Sequence, residues 1–341
     1  MDQQASSAKA EKVGVDSDSS DAQAVAAASV RERPAARTHA AAVSAAQASG
    51  SSARGLVGAV LIAMAVVASA VYALFQSGAV NSVAVNLFGP PKVVLAEAFE
   101  PDPDGPNFDH SAYDILLKKY VDPETGRVDY AGLSGDAAQL DAYIASLAEA
   151  PLEVMGRNHR LALLLNAYNA CTLRLILDHW DSGTLQSIYD IPSELRWEDE
   201  RWRIGEYTWS LEQIEHQEIR PNFKDTRIHW ALVCAAVGCP PLRAEAYVPE
   251  RLDEQLADQA ERVHADEAFV RFNERKRELF LTSLYNWYGD DFEQVHGSVP
   301  AAVGQYLPAI AAEERVGRRV ILRWLDYDWS LNAVEPAATQ N

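Results

Sequence analysis

Cysteine is scarce in this sequence. Cys171, Cys234 and Cys239 are the three among 341 residues, too few for a fold built on disulfide cross-links, although one pair can still form in an oxidising compartment. A basic excess is missing too: 30 Lys and Arg stand against 49 Asp and Glu, for a formal net charge of −19. Binding to phosphate backbones needs a basic face, so no nucleic-acid partner is expected. Large apolar side chains are nearly absent from residues 1–54, which are rich in Ala, Ser, Gln and charge. Such a segment buries too little surface to offset the entropy of ordering, and it is expected to be a disordered tail. No internal repeat is present, no cofactor is expected, and no feature specifies an oligomeric state.

The acidic excess is unevenly placed. The tail balances Lys9, Lys12, Arg31, Arg33, Arg37 and Arg54 against Asp2, Glu11, Asp16, Asp18, Asp21 and Glu32, so the whole of it lies further along the chain. Next comes LVGAVLIAMAVVASAVYALF, residues 56–75, apolar or small throughout and without charge. Roughly twenty helical residues cross a ~30 Å hydrocarbon core. The arginines precede this run and few positive charges follow it, which predicts a single-pass inner-membrane signal anchor over 55–76. The tail is then cytoplasmic and the C-terminal bulk periplasmic or extracellular. A cleaved signal peptide would usually have a shorter apolar core nearer the start. A buried globular helix would show a polar face at its surface side.

Residues 77–108 contain Gly89-Pro90-Pro91 and Pro101-Asp102-Pro103-Asp104-Gly105-Pro106, which breaks regular structure and predicts a linker or a strap over the domain surface. The globular domain is expected over 109–332, with a disordered tail over 333–341. Within it, helices are predicted over 111–120, 136–148 and 160–180. The last of these is apolar nearly all round, so it should be central. Hairpins are predicted around Gly205-Glu206 and around Asn273-Glu274-Arg275-Lys276. Ser210 and Gln213 match a capping box that opens a short helix through Ile219. A buried strand is predicted over 228–235, an amphipathic helix over 249–263, short helices over 284–295 and 299–307, and a last strand over 320–324. The expected class is α+β, with a central apolar helix packed on a small mixed or antiparallel sheet.

Residues able to carry chemistry cluster in three places. Asn166 and Asn169 share a face of the central helix, and a buried amide without partners costs ~1–3 kcal/mol. They therefore either tie the helix to neighbouring backbone or line a pocket and orient a substrate. Glu215 and His216 lie on the short helix after the capping box, with Arg220 four residues beyond His216. Neighbours diverge by ~100° around an α-helix, so one of Glu215 and His216, not both, is expected to face any given centre. His229 opens the predicted strand, alternation puts Cys234 on the opposite face, and Cys239 follows Gly238 in a turn. Four readings stay open: a Cys234–Cys239 disulfide, a Cys239 thiolate activated by an imidazole, a metal centre of His229, a cysteine and His216, or unpaired structural thiols. Cys171, in the apolar helix, reads as a small buried hydrophobe.

Four runs together resemble a known family. Asn166-Ala167-Tyr168-Asn169-Ala170 with Thr172-Leu173, the run 210–216, the run from Arg227 through Cys234 to Leu242, and Leu325-Asp326-Tyr327-Asp328-Trp329-Ser330-Leu331-Asn332 are similar to the domain of unknown function 547 family, over roughly residues 109–332. Members of that family occur in bacteria, often as exported proteins, and in plants joined to a leucine zipper; the resemblance implies a membrane-anchored bacterial member and carries no established biochemistry. Leu164-Leu165 stands where the family typically has Trp-Ile, and Cys171 departs from its usual pattern, which argues against an essential role for that thiol. A looser likeness links the order of central helix and His-bearing strand to papain-like and transglutaminase-like folds, yet the helix offers Asn166 or Asn169 where those enzymes carry a nucleophilic cysteine.

Two functional classes follow. One is an extracytoplasmic hydrolase or acyl transferase on a peptide or other envelope substrate. His229 is its base, Cys239 its nucleophile, and Asn166, Asn169 and Glu215 its orienting or oxyanion groups, with His216 a further catalytic candidate. The other is a non-catalytic envelope-binding or scaffold module with a structural Cys234–Cys239 disulfide.

Overall fold

The longest helix among the described residues is buried over most of its length, and the chain around it is arranged to cover it. The structure is a computed structural model that describes residues 90–334 apart from residue 182. The expectations for residues 1–54, 55–76, the first part of the linker and the end of the chain lie outside the described residues. Element order is α1 (Ser111–Tyr120), α2 (Tyr130–Gly135), α3 (Ala137–Ser146), α4 (Arg157–Asp178), α5 (Ser193–Arg196), β1 (Trp202–Ile204), β2 (Tyr207–Trp209) and α6 (Leu211–Gln213). Then follow α7 (Ile228–Ala231), α8 (Leu252–Ala265), β3 (Val270–Asn273), β4 (Glu278–Leu281), α9 (Leu284–Trp287), α10 (Gly289–His296), α11 (Val299–Gly304), α12 (Pro308–Arg315) and β5 (Ile321–Trp324).

The fold is α+β. Two small sheets occur among the described residues: the antiparallel hairpin β1–β2, and a mixed sheet in which β4 pairs antiparallel with β3 and parallel with β5. The first hairpin turns at Gly205, whose φ of +58° suits a residue without a Cβ. α4 is long and apolar enough to cross a membrane by length and composition. Instead it is buried from His159 through Leu173 and packs against α3 and the segment after α6. Its first turn lacks a side-chain cap, and the Arg157 N–H donates to the Glu100 carbonyl, 3.0 Å, satisfying one orphan donor.

Residues 91–100 form a strap. The Ala96 and Ala98 N–H groups donate to the Pro221 and Asn222 carbonyls, and Gln294 grips the Val93 carbonyl and the Leu95 N–H through its amide. At the other end of the domain, Ala333 and Val334, expected in the C-terminal tail, pair with Val128.

The core has two apolar clusters. One surrounds α4. The other joins α8, the β3–β4–β5 sheet and the helices α9 to α12. α7 belongs to both: Ile228 and Ala231 enter the first and Trp230 the second. This corrects the expectation of a strand over 228–235. Asp225 starts a helical turn instead, its side chain accepting from the Arg227 N–H, and Leu232 N–H closes the turn on the Ile228 carbonyl at 3.1 Å. A short run that is apolar on every side suits a strand covered on both faces or a helix wedged between two cores, and periodicity alone does not separate them.

Candidate functional site

The segment after the Ser210–Gln213 capping box leaves the α-helix. Over Ile214–Ile219 it widens to a π-helix, and the Arg220 N–H reaches the Glu215 carbonyl at 2.9 Å. An i→i+5 ring takes one more residue per turn, so each residue rotates less about the axis. Glu215 and His216 consequently both turn inward, with side chains 11% and 14% exposed. The expectation that one of them at most faces a given centre fails for this reason. π-helical turns are frequent at functional sites.

Arg220 is the hub. Its Nε and Nη2 donate to the two carboxylate oxygens of Asp291 on α10, at 2.9 and 3.0 Å, and Nη1 donates to the Pro91 carbonyl, 3.0 Å, and to His216 Nδ1, 3.1 Å. Asp291 Oδ2 also accepts from His229 Nε2 at 2.9 Å. The Tyr288 ring stacks on the His229 imidazole with centroids 4.0 Å apart, lies under the Arg220 guanidinium, and sends its hydroxyl to Glu215 Oε1 at 2.5 Å. Tyr168, from α4, neighbours the same carboxylate, and burial together with that negative charge keeps its hydroxyl protonated. His229 and Asp291 side chains are each 1% exposed.

These contacts set the protonation states. Burial would raise Asp291, but the bonds from His229 and Arg220 outweigh it and hold the carboxyl at about 2. Burial pushes both imidazoles below their ordinary value, against the pull of Asp291 on His229 and of Glu215 on His216. Burial also opposes charge on Glu215, yet His216, the Tyr288 hydroxyl, Arg220 and His229 together keep its carboxyl below the usual range. Guanidinium only donates, so His216 Nδ1 is the acceptor and its proton sits on Nε2. An ionised carboxylate only accepts, so His229 carries its proton on Nε2 and its lone pair on Nδ1. The network near neutral pH is one guanidinium, two carboxylates and two neutral imidazoles of defined tautomer.

The other candidates lie around it. Asn169 donates to the Ala231 carbonyl, 2.9 Å, and accepts from the Val233 N–H, 3.0 Å, fixing the chain just past His229. Asn166 does the same to Tyr247, at 2.8 and 2.9 Å. Both amides are therefore ties from α4 to backbone, engaged on both sides. Cys234 and Cys239 form a disulfide with Cα atoms 6.3 Å apart, so in this form Cys239 is not a thiolate. Tyr327 places its hydroxyl 3.3 and 3.1 Å from the two sulfurs. Cys171 is buried, and burial pushes its thiol far up, away from reactivity. Among the described residues no group of three or more His, Cys, Asp or Glu is arranged to hold a metal ion, and one nitrogen of each imidazole proposed for such a centre is engaged, His216 Nδ1 by Arg220 and His229 Nε2 by Asp291. A cleft of about 550 Å³ lies elsewhere, between Asn107–Asp114 and the loop 245–251, and shares no residue with the network.

Asp291, Tyr288, Tyr168 and Tyr327 were not among the candidates. Tyr168 and Tyr327 lie inside the runs that carried the family resemblance. Asp291 sits in an acidic first turn beside Asp290, which by sequence is an ordinary complement to a helix dipole.

Residues 152–262 match the family described as "Protein of unknown function, DUF547". The matched stretch holds Tyr168, Glu215, His216, Arg220, His229 and both disulfide cysteines, while Tyr288, Asp291 and Tyr327 lie beyond it. No curated protein and no solved structure matches the chain.

Proposed function

We propose that the domain is a hydrolase or acyl transferase whose base is an imidazole oriented by a carboxylate, not a cysteine thiolate. The observation that carries this reading is the buried 2.9 Å bond from His229 Nε2 to Asp291 Oδ2, with Asp291 itself held by Nε and Nη2 of Arg220. A base held in one tautomer by a carboxylate, neutral at working pH, is the arrangement general-base catalysis needs. In this proposal His229 Nδ1 takes the proton of water or an acceptor hydroxyl as it attacks an acyl carbon. The neutral His216 N–H donates to the developing oxyanion, and the proton taken up by His229 Nδ1 is handed from there to the leaving group as the tetrahedral intermediate collapses. The Pro91 carbonyl on Arg220 puts the strap at this site, so the strap lifts for a substrate to enter.

The same reading keeps the domain tethered through residues 55–76 on the extracytoplasmic side of an inner membrane, facing envelope or peptide substrates. The disulfide supports an oxidising compartment. A non-catalytic envelope-binding module is the second reading, favoured by the 1% exposure of His229 and Asp291.

The test uses the full chain in detergent with ester, thioester and amide acyl donors. His229→Gln and the more accessible His216→Gln are expected to lower turnover by at least ~10²-fold, with thermal melts recorded alongside to separate loss of fold from loss of chemistry. Absence of turnover in all three donor classes, with saturable binding to envelope fragments, would move the assignment to the binding module.

A further inference from the structure

The disulfide is built unevenly. Cys234 is partly exposed, whereas Cys239 is 5% exposed. Of the two residues Cys234 is therefore the more open to an external thiol. The buried sulfur is also the better supplied with donors: the Cys234 backbone N–H points to Cys239 Sγ at 3.0 Å and the Tyr327 hydroxyl lies at 3.1 Å. A disulfide sulfur is a weak acceptor and gains little from two donors. A thiolate at the same position gains a great deal, because hydrogen bonds to an ionised acceptor are roughly twice as strong as neutral ones.

The loop between the cysteines does not depend on the S–S bond for its shape. The C-terminal segment holds it from outside: Asn332 N–H to the Ala235 carbonyl at 2.9 Å, Val237 N–H to Ser330 at 2.8 Å, and Gly238 N–H to Asp328 at 2.8 Å. Ala235 is kept at a φ of +63°, in the left-handed region that residues with a Cβ seldom occupy. Gly238 is where Tyr327 arrives. A Cβ there would lie 3.0 Å from the phenol ring and 2.9 Å from the Asp328 nitrogen, so only glycine lets the ring reach the sulfurs. Broken, the two sulfurs stay within reach of one another and of the Tyr327 hydroxyl.

We propose that Cys234–Cys239 is a redox-active pair that accepts two electrons from a substrate dithiol, with Cys234 the sulfur attacked and Cys239 the leaving thiolate. One thiolate of the dithiol attacks Cys234 Sγ. The Cys234–Cys239 bond breaks, a mixed disulfide forms at Cys234, and the electron pair leaves on Cys239, where the Cys234 N–H and the Tyr327 hydroxyl hold it. The second thiol of the dithiol then attacks its own mixed-disulfide sulfur and releases Cys234. The dithiol leaves as a disulfide, and its two protons end on Cys234 and Cys239 or in solvent. A stabilised leaving thiolate speeds the first step, and a stabilised reduced form makes the pair an oxidant. This activity is separate from the acyl chemistry proposed above and does not need His229.

The oxidised full chain is equilibrated with dithiothreitol and, separately, with glutathione redox buffers, and the thiol state is read by alkylation and mass spectrometry while circular dichroism monitors the fold. The expected result is reduction with the fold intact and alkylation of Cys234 ahead of Cys239. Tyr327→Phe keeps the ring and removes the donor. Its equilibrium with glutathione should move at least ~10-fold toward the disulfide, and its reduction should slow. Should Tyr327→Phe fail to fold, Cys239→Ser and Cys234→Ser take its place: offered oxidised glutathione, the Cys234 thiol left in the first is expected to form a mixed disulfide, releasing one reduced glutathione, faster than the Cys239 thiol left in the second. The proposal is overturned by a pair that resists dithiothreitol until the domain is denatured, by Cys239 alkylating first, or by a Tyr327→Phe protein with unchanged exchange.

Discussion

Asp291→Ala puts the network under the sharpest test. The substitution removes three buried bonds at once: two from Arg220, at 2.9 and 3.0 Å, and one from His229, at 2.9 Å. What is left is a guanidinium 2% exposed at its side chain, with the Pro91 carbonyl and His216 as its remaining partners, and an imidazole N–H facing no carboxylate. Deleting one partner of a buried ion pair costs about 3–5 kcal/mol, because the other charge stays in a medium that cannot solvate it. For a domain of this size that is a fall in Tm of roughly 6–20 °C, at ~2–4 °C per kcal/mol. The companion is Arg220→Met with Asp291→Leu, which removes both charges and fills their space. Apolar replacements of a buried pair are often close to neutral, and here the remaining loss is the His229 N–H acceptor, ~1–3 kcal/mol. Urea titrations of Arg220→Met, Asp291→Leu and the double should therefore give a coupling energy of at least ~3 kcal/mol. A single-mutant cost below ~1 kcal/mol, or a double mutant equal to the sum of its parts, would mean that the charges are solvated and the network is not the buried centre described.

Stability should fall as pH drops from about 6.5 toward 4. Burial holds His110 and His264 down to about 4, and His216 and His229 are lowered as well. Unfolded imidazoles take up protons from ~6.5 downward, so in that window the unfolded chain binds more protons and is favoured. At ~1.4 kcal/mol per unit, His110 and His264 account for roughly 3 kcal/mol each by its lower end. Asp291 contributes in the same direction but later: its stabilisation is fully present above the unfolded value near 3.8 and is lost as pH falls through about 2. Urea midpoints that stay level from pH 7 to pH 5 contradict the burial of these rings. Asn169→Leu, similar in volume, should cost about 2–5 kcal/mol by stranding the Ala231 carbonyl and the Val233 N–H. A loss under ~1 kcal/mol in the same urea assay would show that water replaces the amide.

What the sequence made legible divides by range. α1, the capping box at Ser210 and Gln213, both hairpins and the last strand follow from signals contained in a few neighbouring residues: a side chain that satisfies a nearby N–H, a turn residue, or a period of apolar positions. The amphipathic α8 was readable for the same reason, its buried Leu252, Leu256, Ala260 and Val263 forming one stripe. The disulfide was one of four readings of Cys234 and Cys239, which their spacing alone did not separate. The failures share a different cause. Residues 228–231 are apolar all round because two separate cores meet across them, and nothing local distinguishes that from a strand covered on both faces. The π-helical winding that turns Glu215 and His216 inward together has no residue signature of its own. Asp291, which gives His229 its tautomer and Arg220 its counter-charge, comes from 62 residues beyond His229.

The site is therefore a product of tertiary structure in a strong sense. α7 supplies an imidazole at the seam between two apolar clusters, the π-helical turn supplies Glu215, His216 and Arg220 from one side, and α10 supplies Asp291 from the other. A buried carboxylate, guanidinium and imidazole at such a seam cost more than apolar packing would. Their mutual arrangement costs little only while both clusters stay docked, so the tautomer of His229 and the integrity of the seam rise and fall together.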